Sequence, residues 1–196
     1  MSPRRSPLAG FPPLALSACV PSLNRFYVDR DITFEPSLLG SWIDERRRHV
    51  WCFAPGCNQN YRLSHTDEES RTSEFVVHLF RVEGIVLIDL WPWNFDAGMN
   101  PLHALHILPA HNAMLVRQLH PELHVAFLSY ASVRQTLEKD ATAVAHVCPR
   151  NNEYVLTAPP HELQRFITRH DKKARTSIFG SMLELTRQPT GLTSRA

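Results

Sequence analysis

The chain has 196 residues, of which 43% are hydrophobic and 20% charged, and its formal net charge is +2. This composition excludes a disordered chain and supplies enough apolar side chains for one domain with a real core. Arg4 and Arg5 are the only charges in residues 1–18, so the rest of the chain is formally neutral and lacks the basic field of a nucleic-acid binder. No run reaches the roughly 18–20 apolar residues of a spanning helix, so a membrane attachment would be covalent or peripheral.

Met1 to Arg5 is positively charged, Leu8 to Ala18 is uncharged and apolar, and Leu16-Ser17-Ala18-Cys19 ends the stretch with small residues before a cysteine. A charged start, an apolar middle and a small-residue cut site form the pattern of a secretory signal over residues 1–18. The last four residues resemble the lipobox of bacterial lipoproteins. That resemblance implies cleavage before Cys19, lipid attachment to Cys19 and anchoring in the cell envelope. The other reading is a Pro-rich leader with an unrelated cysteine, since Pro12-Pro13 interrupts the apolar stretch. Several of the fifteen prolines fall in the first forty residues, so residues 19–36 are expected as an extended linker.

Gly40-Ser41-Trp42 resembles the Gly-x-Trp that opens the first strand of lipocalins and related calycin barrels, where the tryptophan covers the closed end. Short alternating segments follow. Residues 49–54, 60–66, 73–82, 85–91, 111–119 and 122–128 read as strands, with Glu83-Gly84 as a tight hairpin link. Residues 129–140 form a predicted helix with Ser129 as its cap and Val133 and Leu137 on one face. A strand is expected over 152–157. A second helix over 157–170 carries the stripe Leu163, Phe166 and Ile167. Residues 171–196, with Lys172, Lys173, Arg175, Arg187 and Arg195, show no periodicity and read as a loose tail. The fold class is mainly β with minor α. Residues 37–170 are expected as an antiparallel meander, closed or half-closed into a lipocalin-like barrel with one or two packed helices.

The order of motifs also resembles a group of uncharacterised bacterial lipoproteins. The matching pieces are the lipobox and Val20-Pro21-Ser22-Leu23, then the Gly-x-Trp strand, Tyr61 to Asp67, Val77 to Pro92, His106 to His111 and Leu156 to Gln164. The resemblance covers about residues 15–170. It implies an exported, lipid-anchored protein and supplies no activity.

Of the chemistry-bearing residues, His103, His106 and His111 form the best histidine cluster. On a strand His103 and His106 face opposite ways, and no acid or thiolate stands at ligand spacing, so no metal site is expected. His120-Pro-Glu-Leu-His124 fails as a zincin motif, because its glutamate is displaced and Pro121 sits in a strand-turn context rather than a helix interior. The chain has no P-loop, dinucleotide fingerprint or nucleophile elbow, so neither cofactor nor catalytic residue is assigned. Cys52 and Cys57 flank a turn and could face each other across it. Asp89 lies in an apolar strand, where it is either part of a site or satisfied by a neighbouring donor. Trp91, Trp93 and Phe95 leave that strand and either line a pocket for a small apolar ligand or seal the core. The functional expectation is non-enzymatic binding of such a ligand or of an envelope partner. The alternatives are an interaction module without a pocket, or a histidine-based metalloenzyme.

Overall fold

The computed structural model describes residues 19–44, 46, 48–95, 98–104, 106–150, 153–173 and 178–189. The expected signal segment lies outside the described residues. Eleven strands are present: β1 (Ile32–Thr33), β2 (Gly40–Asp44), β3 (His49–Pro55), β4 (Tyr61–Thr66), β5 (Thr72–Val82), β6 (Ile85–Pro92), β7 (Asn112–Gln118), β8 (Leu123–Phe127), β9 (His146–Arg150), β10 (Glu153–Leu156) and β11 (Leu183–Arg187). The helices are α1 (Pro101–Ala104), α2 (Tyr130–Lys139) and α3 (Pro160–Lys173).

Strands β2 to β8 pair in succession, and β11 pairs with both β8 and β2, giving a closed eight-stranded antiparallel barrel of lipocalin-like form. The alternation seen in the sequence sets its inside. All eight strands contribute to one buried cluster that includes Trp42, Phe53, Tyr61, Leu79, Ile88, Met114, Val125 and Leu185. Glu83 and Gly84 both have positive φ, the backbone that a two-residue hairpin link between right-twisted strands requires.

Trp42 closes one end. A 3-10 turn at Pro36–Leu38 precedes β2, and the Trp42 indole N–H donates to the Leu38 carbonyl at 2.9 Å. From β11, the Arg187 guanidinium stacks 4.2 Å from the Trp42 ring and donates to the carbonyls of Leu39 and Ser37. Gly40, at φ +114°, leaves room for that arginine, since a Cβ there would meet its guanidinium at 2.8 Å.

The outer face of β5–β8 is apolar as well. It is covered by the segment Val20–Tyr27, by α2 and by α3, and the second core includes Phe26, Phe80, Leu87, Leu115, Val133, Leu163, Phe166 and Ile167. Ser129 caps α2 as expected, accepting from the Ser132 N–H at 3.2 Å.

Two expectations are corrected, and one unassigned stretch proves to be a strand. Residues 19–36 are not a free linker, because Val20 and Phe26 are fully buried and Ser22 bridges both His111 and Leu156. Apolar residues hidden among prolines hold this arm against the barrel. Residues 171–196 are not wholly a loose tail, because β11 lies within them and completes the barrel. Its charged alternation, Glu184 and Arg187 around Leu185, conceals one deeply buried leucine. Residues 146–150, left without an element in the sequence reading, form β9 and pair with β10.

Leu185→Ala should therefore lower stability by about 2–5 kcal/mol, as for a leucine deleted from a filled core. The outward Glu184→Ala should stay within roughly 0.5 kcal/mol of the parent. Denaturant unfolding of the two variants checks this, and equal effects would mean that β11 does not close the barrel.

Candidate functional site

The barrel interior is filled by its own side chains: Trp42, Tyr61, Leu63, Val77, Leu79, Met114 and Leu185 are all at most 1% exposed. The chemistry that the sequence leaves open gathers on the outside instead, where the N-terminal arm crosses β6 and β5.

Asp89 is the centre of this seam. Alternation along β6 sends Leu90 inward and Asp89 outward, beneath the arm. Its carboxyl is fully buried and accepts the Phe26 backbone N–H at 3.2 Å and His111 Nδ1 at 2.8 Å. Backbone hydrogen bonds between Ser22 and His111, at 2.9 and 2.8 Å, hold His111 in place. Of the two readings of Asp89, the satisfied one is observed: both oxygens are occupied by the arm and by the residue that opens β7.

His78 lies directly across the strand pair from Asp89. Its ring stacks on Tyr27 with centroids 4.4 Å apart, and its Nε2 is 3.4 Å from the Tyr27 hydroxyl. His78 Nδ1 is buried without a hydrogen-bond partner. Burial lowers the His78 pKa despite the nearby Asp89, and burial raises that of Tyr27. Arg25 lies 4.9 Å over the Tyr27 ring and pairs with Asp29 at 2.7 Å. With Asn58 and Gln59, these groups line an open, polar groove of about 500 Å³.

A second histidine pair stands at the barrel end opposite Trp42. His65 Nε2 is 3.3 Å from His49 Nδ1, beside the Trp51 ring. Burial and then the neighbouring His49 lower the His65 pKa.

The predicted aromatics do not meet at a pocket. Trp91 faces outward and packs 4.2 Å from the His111 ring. Trp93 lies beneath the Arg62 guanidinium at 3.5 Å, also outside the barrel. Phe95 is half-buried further along the same loop. His103 sits on the single turn α1, where Pro101 opens a helix that the sequence reading left out, and His106 follows it. Both are exposed and apart from the Asp89 seam. Among the described residues no three histidine, cysteine or acidic groups are placed to share a metal ion. Cys52, Cys57 and Cys148 are exposed and form no disulfide among the described residues. The seam itself was marked in the sequence only by Asp89, because its partners are a backbone N–H and residues distant in the chain.

Comparisons with protein-family models, with curated proteins and with solved structures find no match.

Removing the Asp89 carboxyl strands a buried N–H and the His111 ring. Asp89→Ala should cost on the order of 3 kcal/mol and release the arm, seen as faster amide exchange over residues 20–27. Unchanged exchange would refute the pinning role. A pH effect follows from His65 and His78, whose folded pKa values lie below the ordinary 6.5. The unfolded chain then binds protons that the folded one refuses, so stability is full above the ordinary value and falls as acid is added. The denaturant midpoint should drop between about pH 7 and pH 5, and drop less when both histidines are replaced by phenylalanine.

Proposed function

We propose that this chain is an exported protein anchored in the cell envelope by a lipid on Cys19, and that it acts there as a non-enzymatic interaction module. One observation carries the module reading: the barrel is packed solid, so contact with a partner falls to the outer surface rather than to a lumen. The seam supports a structural rather than catalytic use of Asp89 and His111, since both carboxyl oxygens are already bonded.

One feature supports the anchor. The sequence before Cys19 has the order of charge, apolar stretch and small residues that a lipoprotein signal requires. Cys19 itself bridges Ser129, and Val20 behind it is fully buried. Burial pushes the Cys19 thiol up to about 11, which keeps it protonated in the folded body. With no free linker behind it, an anchor at Cys19 would hold the barrel directly on the membrane.

The test is the intact mass of the protein taken from membranes, beside Cys19→Ala. A chain beginning at Cys19 plus acyl groups, with the variant unmodified, is the expected result. An unmodified chain from Met1 would remove the anchored reading. Native mass spectrometry of the folded protein should show no retained small apolar ligand; a stoichiometric one would restore the ligand-carrier reading.

A further inference from the structure

We infer that the barrel end opposite Trp42 is a membrane-contacting surface, with the loop between β6 and β7 seating Trp93, Leu102 and Leu108 in a lipid bilayer. The inference deepens the anchored reading and rests on it for orientation.

The two barrel ends differ in what they expose. The Trp42 end holds the links Pro55–Tyr61, Val82–Ile85 and Gln118–Leu123, and the seal made by Arg187. The opposite end holds the β2–β3 and β4–β5 hairpins, the long loop between Pro92 and Asn112, and the start of β11. Among the described residues eight large hydrophobic side chains are exposed, and six of them gather at this second end: Leu23, Trp93, Met99, Leu102, Leu108 and Met182. Leu102 and Leu108 are 68% and 74% exposed. Such a gathering on one face marks an interaction site, whereas single exposed leucines do not.

The chemistry of the loop fits lipid. From Ala97 to Val116 the chain has no Asp, Glu, Lys or Arg, so no formal charge within that stretch opposes transfer into an apolar phase; the polar groups to be accommodated are the exposed His103 and His106 and, at the root, the Arg62 guanidinium over Trp93. Trp91 and Trp93 stand at its root, where amphipathic rings favour the headgroup level. Arg46 and Arg48, exposed on the β2–β3 hairpin at the same end, would face anionic headgroups. The acidic turn there is partly neutralised internally, since Arg71 pairs with Asp67 and Glu69, each at 2.7 Å.

Cys19 is at this end too. It bridges Ser129, two residues past the end of β8, and the arm behind it pairs Ser22 with His111, the last residue of the loop. A lipid on Cys19 would therefore bring this end, and not the Trp42 seal, to the bilayer.

The test uses the full chain carrying Cys19→Ser, which cannot be acylated, with vesicles of phosphatidylcholine and phosphatidylglycerol brominated on the acyl chains. Contact should quench tryptophan emission, and Trp93→Phe should remove a large part of that quenching, since Trp42 and Trp51 are buried and Trp91 is half-buried against the His111 ring. The paired substitution L102E/L108E, at exposed positions, should leave the melting temperature unchanged and weaken vesicle binding at least about tenfold. Quenching that survives both changes would place the contact elsewhere, for instance in the leader, and overturn the inference. So would vesicle-independent dimerisation abolished by the same pair, which would make the occupant a second copy of the chain. None of these readouts depends on acylation, so failure of the anchor and failure of the loop contact are seen separately.

Discussion

Strands β5 to β8 are apolar on both faces, and most of this structure follows from that constraint. A barrel alone buries only its inner face. Phe80, Leu87, Leu115 and Ala126 point outward from these strands and would face water. Burying such side chains stabilises by roughly 1.5–3 kcal/mol each, so the chain supplies a second layer. The arm before β2 and the insertion between β8 and β11 provide it, and the two cores share the same strands. Loss of either layer would expose a face that no solvated sheet tolerates.

Apolar cover alone does not decide where the arm lies, since one hydrophobic strip fits many positions on another. Asp89 removes that freedom. A buried carboxyl is costly unless its oxygens are met, and here the Phe26 N–H and His111 meet both. Sliding the arm by one residue would remove the Phe26 donor and turn Val20 and Phe26 off the core. Gln164 of α3 adds a second fix, donating to the Phe26 carbonyl at 3.1 Å and to Asp31 at 2.8 Å. The polar contacts thus fix register, while the apolar ones supply most of the driving force.

The legibility of the fold follows the range of the interactions. Strands β3 to β8 were readable because alternation and turn residues are local, and so was the Ser129 cap. The closing strand β11 was not, since its pairing partners lie about sixty and more than one hundred and forty residues away, and only Leu185 among its five residues is deeply buried. The arm was misread for a related reason. Prolines suppress regular structure, yet they leave Val20 and Phe26 free to pack, and packing rather than hydrogen-bond periodicity holds the segment. The aromatics Trp91 and Trp93 illustrate a third limit. Their presence near a strand end was plain, but the face they take depends on the register of β6 against β5, which alternation fixes only once Leu90 is known to point inward.

Closure of the barrel constrains where this protein can meet anything else. The eight strands pair in a closed ring, and β1 lies along the part of β5 that extends beyond β4, which leaves little edge for strand addition to the barrel. The filled interior leaves no lumen, and the outer face of β5–β8 is already occupied by the arm and helices. What remains is the pair of ends, the outer face of β2–β4 and β11, and the polar groove beside His78. One end is sealed by an internal stack of Trp42 and Arg187, whose guanidinium donors are spent on backbone carbonyls. The other carries a long loop, free of formal charge after Asp96, with Leu102 and Leu108 turned to solvent, a conformation that water disfavours and an apolar phase would stabilise. The asymmetry is therefore a consequence of the topology: the chain satisfied one end internally and left the other, nearest Cys19, to be satisfied from outside.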